Sequence, residues 1–96
     1  MSKKGYWIGL VDVTDPEAYK DYVAANAVAF EKYGARFVVR GGRNEQPEEL
    51  AGTRHVVIEF DSYDTALECY RSPEYQATLA LRKPCATARL VIVEGV

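Results

Sequence analysis

The sequence is poor in the residues that build metal centres and disulfide scaffolds: 96 residues hold one histidine and two cysteines. Cys69 and Cys85 stand apart without a CxxC spacing, so reduced thiols are expected rather than a disulfide framework. One histidine and scattered carboxylates give no ligand spacing, so no metal site is expected. A basic excess is missing too. The net charge is -2, and no Lys/Arg cluster is interleaved with aromatics, which removes the electrostatic footprint of a nucleic-acid binder. No segment approaches the roughly 20 apolar residues that span a bilayer. The apolar run after Lys3 and Lys4 is only about eight residues long, carries Asp12 and lacks a small-residue cleavage site, so it reads as a strand and not as a signal peptide. Gly41-Gly42 is followed by neither a helix start nor a Gly-Lys-Ser/Thr triplet, and no nucleotide or flavin fingerprint occurs, so no cofactor is expected. These absences point to a cytoplasmic protein without membrane or nucleic-acid partners.

What is present reads as one domain over residues 1–96, with a modest core of the kind a short chain can bury. Residues 6–13 form a first strand. Asp15-Pro16-Glu17 then starts a helix: Asp accepts from free amides, Pro tolerates the first helical position, and Glu favours the positive dipole end. Tyr19, Tyr22, Val23, Ala27, Phe30 and Tyr33 supply its apolar stripe, and Gly34 stops it. Residues 35–40 make a second strand, and the polar segment 41–53 is a surface loop. Within residues 54–75 a strand passes directly into a helix capped by Asp61 or Ser62, with Tyr63, Ala66, Leu67 and Tyr70 at helical spacing. Ser72-Pro73-Glu74 repeats the capping arrangement for a further short helix that Pro84 bounds, and residues 88–94 close the chain as a last strand.

The order β-α-β-β-α-β predicts an α+β fold of the ferredoxin-like kind, a four-stranded antiparallel sheet with the helices on one face. Every strand nevertheless carries apolar side chains on both faces: Trp7 and Val11 against Ile8 and Leu10, Phe37 and Val39 against Val38, Ile58 and Phe60 against Val57, Val91 and Val93 against Leu90 and Ile92. A sheet with one solvated face should alternate instead. An uncovered face of this composition exceeds the apolar patch a soluble monomer normally shows, so a symmetric homodimer with its sheets packed face to face is expected.

The stretches YWIGLVDVTDPEAYKDY, YGARFVVRGGR, VVIEFDSYDTALECYRSPEYQ and LVIVEG together resemble the proteins grouped as domain of unknown function 1330, over nearly the whole chain. The resemblance implies membership of the dimeric α/β-barrel superfamily. That superfamily includes small monooxygenases, dehalogenation-type and isomerase-like enzymes, and proteins without known chemistry, so the fold does not choose among them. Tyr70 stands where the family more often has Trp, at a candidate pocket position, and Ala35 stands where a second Gly is common.

Candidate ligand-binding residues are the polar groups that fall on otherwise apolar surfaces. Asn26 lies on the stripe of the first helix, either bonded to a neighbour or water or touching a ligand. In the simplest hairpin register Arg40 faces His55 and Arg36 faces Glu59, so Arg36, Val38, Arg40, His55, Val57 and Glu59 share one face. An imidazole and a carboxylate near arginines can bind an anion or move a proton; an ordinary cross-strand ion pair is the structural alternative. Tyr75 and Arg82, seven residues apart, share a side of the last helix. Ser72 is expected as a helix cap and not a nucleophile, and Cys69 as a core residue. Two functions are therefore weighed. One is a homodimer binding a small anionic or aromatic metabolite between sheet and helices, extending to a cofactor-independent enzyme. The other is a non-catalytic homodimer serving as a structural or regulatory module.

Overall fold

The computed structural model describes residues 3–50 and 52–96; Met1, Ser2 and Ala51, the last of which falls in the expected 41–53 loop, lie outside the described residues. The chain runs β1 (Gly5–Val13), α1 (Pro16–Lys32), β2 (Arg36–Arg40), β3 (Arg54–Phe60), α2 (Tyr63–Arg71), α3 (Pro73–Arg82) and β4 (Ala86–Glu94). The strands form one antiparallel sheet in the order β2-β3-β1-β4. This is the ferredoxin-like arrangement, with the second crossover divided between α2 and α3.

Local chemistry sets the boundaries. The Asp15 carboxylate accepts from the Ala18 amide at 3.2 Å, and Pro16 occupies the first turn, where no amide is needed. Ser62 caps α2 by accepting from the Thr65 amide at 3.1 Å. Ser72 serves two helices at once: its hydroxyl donates to the Cys69 carbonyl at 2.7 Å and accepts from the Tyr75 amide at 3.1 Å. That hydroxyl is fully engaged in the joint between α2 and α3.

The core lies between the helices and one face of the sheet, around Trp7. The indole meets Phe30, Tyr75 and Phe60 with ring centroids 5.3, 4.9 and 5.4 Å away, and its N–H donates to the Ala66 carbonyl at 2.9 Å. Each such aromatic pair adds roughly 0.5–1.5 kcal/mol beyond the area it buries. The stripe on α1 is rotated relative to the sequence expectation: Ala29 is buried, whereas Ala27 and Val23 are exposed. At about 100° per residue, Ala27 lies about 140° from Tyr22, while Asn26 and Ala29 fall close to it.

The largest departure is in β2. Arg36 pairs with Glu59 and Phe37 with Ile58, as the simplest register predicts, but then Val39 pairs with Val57 and Arg40 with Val56. Val38 is an extra residue, a bulge. Because side chains alternate along a strand, the bulge returns Arg40 to the face of Phe37 and Val56, under the helices, and turns Val39 to the other side. Arg40 therefore does not face His55. Arg36, His55, Val57 and Glu59 remain on the face that no helix covers. Ile8, Val93 and Val91 lie on that face at 37, 40 and 53 % exposure. Among the described residues no helix is long and apolar enough to cross a membrane.

Candidate functional site

The helices and the sheet do not close completely against each other. A cavity of about 60 Å³ remains between them. Its floor is Trp7, Gly9 and Val11 of β1 with Val56 and Ile58 of β3; its roof is Tyr19, Tyr22 and Asn26 of α1 with Tyr75 of α3. Gly9 is one reason for the space. A Cβ there would find only the Leu90 Cδ1 at 3.8 Å and two further atoms at 4.0 Å, so nothing fills the position.

Three guanidinium groups line this cavity, those of Arg40, Arg54 and Arg82, and no carboxylate does. Arg40 lies over the Phe37 ring with its Cζ 3.7 Å from the centroid, while Arg54 and Arg82 lie 5.9 Å from the rings of Tyr19 and Tyr22. Among the described residues none of the three joins an ion pair; the cations that do are Lys4, Lys20, Lys32 and Arg36. The Nε atoms of Arg54 and Arg82 are enclosed and have no hydrogen-bond partner. Gly41, at φ 60°, keeps the path of Arg54 clear, since a Cβ there would press on its Nη1 and on its Cζ at 3.0 Å.

The remaining polar groups are neutral. The hydroxyls of Tyr22 and Tyr75 share a hydrogen bond of 2.7 Å. Burial, then the neighbouring Tyr22, pushes the Tyr75 phenol above its usual range. Burial raises Tyr19 as well, and Tyr22 adds to this while Arg54 and Arg82 oppose it. Asn26 is buried at 7 % exposure and lines the cavity. The arrangement offers cationic donors and phenol hydroxyls that donate hydrogen bonds. Its lining holds no imidazole, carboxylate or amine to serve as a base.

The family model described as Domain of unknown function (DUF1330) matches residues 4–96. The chain belongs to the DUF1330 family. No curated protein matches this DUF1330 chain. Among solved structures it is similar to a protein of unknown function from Rhodopseudomonas palustris, at 19% identity and TM-score 0.76, covering 100% of this chain and 85% of that one. A dimeric ferredoxin-like protein of unknown function from Thermobifida fusca matches at 17% identity and TM-score 0.58, covering 98% and 92% of the two chains. SnoaB, a cofactor-independent oxygenase from Streptomyces nogalater, matches at 13% identity and TM-score 0.65, covering 96% and 92%. At these identities the likeness speaks for the fold alone.

In this DUF1330 chain the candidate residues divide between two places. Asn26, Arg40, Tyr75 and Arg82 line the cavity. Tyr70 does not: it packs its ring on Trp7 and Tyr75, with centroids 5.7 and 5.4 Å away. His55 and Glu59 sit on the opposite face of the sheet by their parity on β3, and the bulge in β2 separates Arg40 from them. There Glu59 accepts from Arg36 Nε at 3.0 Å and from the Tyr6 hydroxyl at 3.0 Å. Arg36, and then Tyr6, hold its carboxyl below the usual range. Arg36 also reaches Asp61 at 3.0 Å, so the cluster is an ion-pair network, the structural alternative weighed for these residues. Tyr19, Tyr22 and Arg54 also line the cavity and are not among the candidate site residues of the sequence. The sequence pattern places the tyrosines in the core stripe of α1. Arg54 carried a usable signal, since it shares strand parity with Val56 and Ile58 and so must point at the helices.

Proposed function

We propose that this protein is a homodimer that binds a small organic anion in the cavity between the sheet and helices α1 and α3, working in the cytoplasm with reduced thiols. The observation that carries the reading is the set of guanidiniums on one cavity that lacks any carboxylate in its lining. Buried donors without acceptors are rare in folded proteins, and two of them, the enclosed Nε atoms of Arg54 and Arg82, belong to side chains that line this cavity. Aromatic walls suit an apolar or aromatic body on the ligand, and Asn26 supplies a neutral donor and acceptor. A cavity of about 60 Å³ admits roughly four to six waters at about 10–15 Å³ each, so the enclosed part of the ligand is a handful of atoms. Arg40 on β2 and Leu90 on β4, both exposed, lie at the two opposite edges of the sheet, toward either of which a longer ligand would protrude.

The homodimer is supported by the uncovered sheet face, where Ile8, Val91 and Val93 join Tyr6, Leu10 and Val57 in an apolar area bordered by charge. A second copy applied about a two-fold axis matches such a surface to itself. Catalysis without a cofactor extends the reading: SnoaB, of like fold, is a cofactor-independent oxygenase. Guanidiniums would stabilise negative charge developing on a bound anion, and the phenol hydroxyls would donate hydrogen bonds to it.

Titration calorimetry of the protein against small carboxylates at neutral pH tests the site. A binder is expected. Arg54→Met and Arg82→Met should each weaken it by about ten- to a hundredfold, as expected for charge-assisted bonds of about 1.5–3 kcal/mol. Affinity unchanged in both variants would overturn the assignment, as would a panel that produces no heat with the unaltered protein.

A further inference from the structure

Arg54 and Arg82 approach the cavity from different layers. Arg54 is the first residue of β3, on the floor, and Arg82 is the last residue of α3, on the roof. Between them stand Tyr19 and Tyr22, whose rings are 5.3 Å apart, one under each guanidinium. A guanidinium recognises a carboxylate best through two N–H groups side by side, which match the two oxygens. Both guanidiniums line the cavity, and among the described residues neither joins an ion pair. A single carboxylate fits one such edge. It leaves the second arginine with its charge uncompensated.

Charge leads to the same place. With no negative side chain in the lining, the guanidiniums repel one another in a partly dry space where the repulsion is weakly screened. A ligand of charge minus one neutralises only part of this. An inorganic oxyanion supplies more charge, but it leaves the apolar floor of Trp7, Val56 and Ile58 without contact. A short carbon chain with an acid at each end meets both requirements.

Resting on the anion-binding reading above, we infer that the ligand is a short dicarboxylate, one carboxylate on the Arg54 edge and the other on the Arg82 edge, with Arg40 at the rim. Both acids are ionised at neutral pH. The test compares propionate with malonate, and valerate with glutarate, by titration calorimetry on the whole protein, with inorganic phosphate alongside. At least one dicarboxylate should bind about tenfold or more tightly than the monocarboxylate of the same carbon count. Arg54→Met and Arg82→Met should each reduce that preference to about twofold or less. Arg54→Lys, which keeps charge but not the paired donors, should lose most of it.

Monocarboxylates binding as tightly as their matched dicarboxylates would overturn this inference and leave the anion site standing. Phosphate binding more tightly than every dicarboxylate would overturn it too. No binding by any of the anions would instead remove the site itself.

Discussion

Glu59 shows how a single carboxylate can be misplaced by sequence and still be understood from it. Its partnership with Arg36 follows from strand pairing, and its distance from the cavity from its parity on β3, opposite to that of Val56 and Ile58; what the sequence does not mark is that Arg40 leaves the face of Glu59. The pairing has a pH signature. Arg36 and Tyr6 lower the carboxyl in the folded protein below the ordinary 4.5. A lowered folded value means that the stabilisation is complete above the unfolded range and is lost as pH falls through the folded one. Glu59→Gln should therefore lower the melting temperature near neutrality and narrow the gap to the parent as the pH falls below about 4. Thermal unfolding across that range checks it; a gap that stays constant down to the lowest pH would show that the ion pair contributes nothing. Arg54 marks the other limit of reading residues singly, for its parity was visible but its lack of a partner needed the whole cavity.

At the scale of elements, the helices and their caps were well marked in the sequence, because Asp15-Pro16-Glu17 and Ser72-Pro73-Glu74 combine three independent preferences each. The bulge in β2 was not. In Phe37-Val38-Val39-Arg40 either valine suits either face, so no residue type signals where the extra one sits. What decides it is tertiary: Phe37 packs on Phe30 at 5.5 Å, and the Gly41 amide donates to the His55 carbonyl at 2.8 Å, which fixes both ends of the strand. Deleting Val38 tests this account. The shortened strand keeps Arg36 opposite Glu59 and Arg40 opposite Val56 in an unbroken ladder, so the fold and any anion affinity that depends on Arg40 should survive. Circular dichroism with binding titration decides; loss of affinity in a folded deletion variant would mean that the bulge itself shapes the cavity.

For the whole molecule, the two faces of the sheet have separate tasks. One holds the helices, the core and the cavity, and the other leaves Ile8, Val91 and Val93 uncovered, where the second copy is proposed to sit. That separation was legible from strand patterning alone, since both faces are apolar and only one receives helices. It also makes the assembly testable without unfolding the chain. Val91→Asp places a charge on the uncovered face opposite Ile8, and two-fold symmetry would double it in the proposed dimer. Sedimentation should find the parent as a dimer at micromolar concentration and the variant as a folded monomer. A parent that sediments as a monomer would remove the dimer.

Trp7 is the sole indole of the chain, and it forms part of the cavity wall while its N–H stays tied to Ala66. The protein thus contains its own lamp, set beside the space in question and held still. Whatever displaces water there changes the polarity that this chromophore senses, so occupancy can be followed by emission without any attached dye.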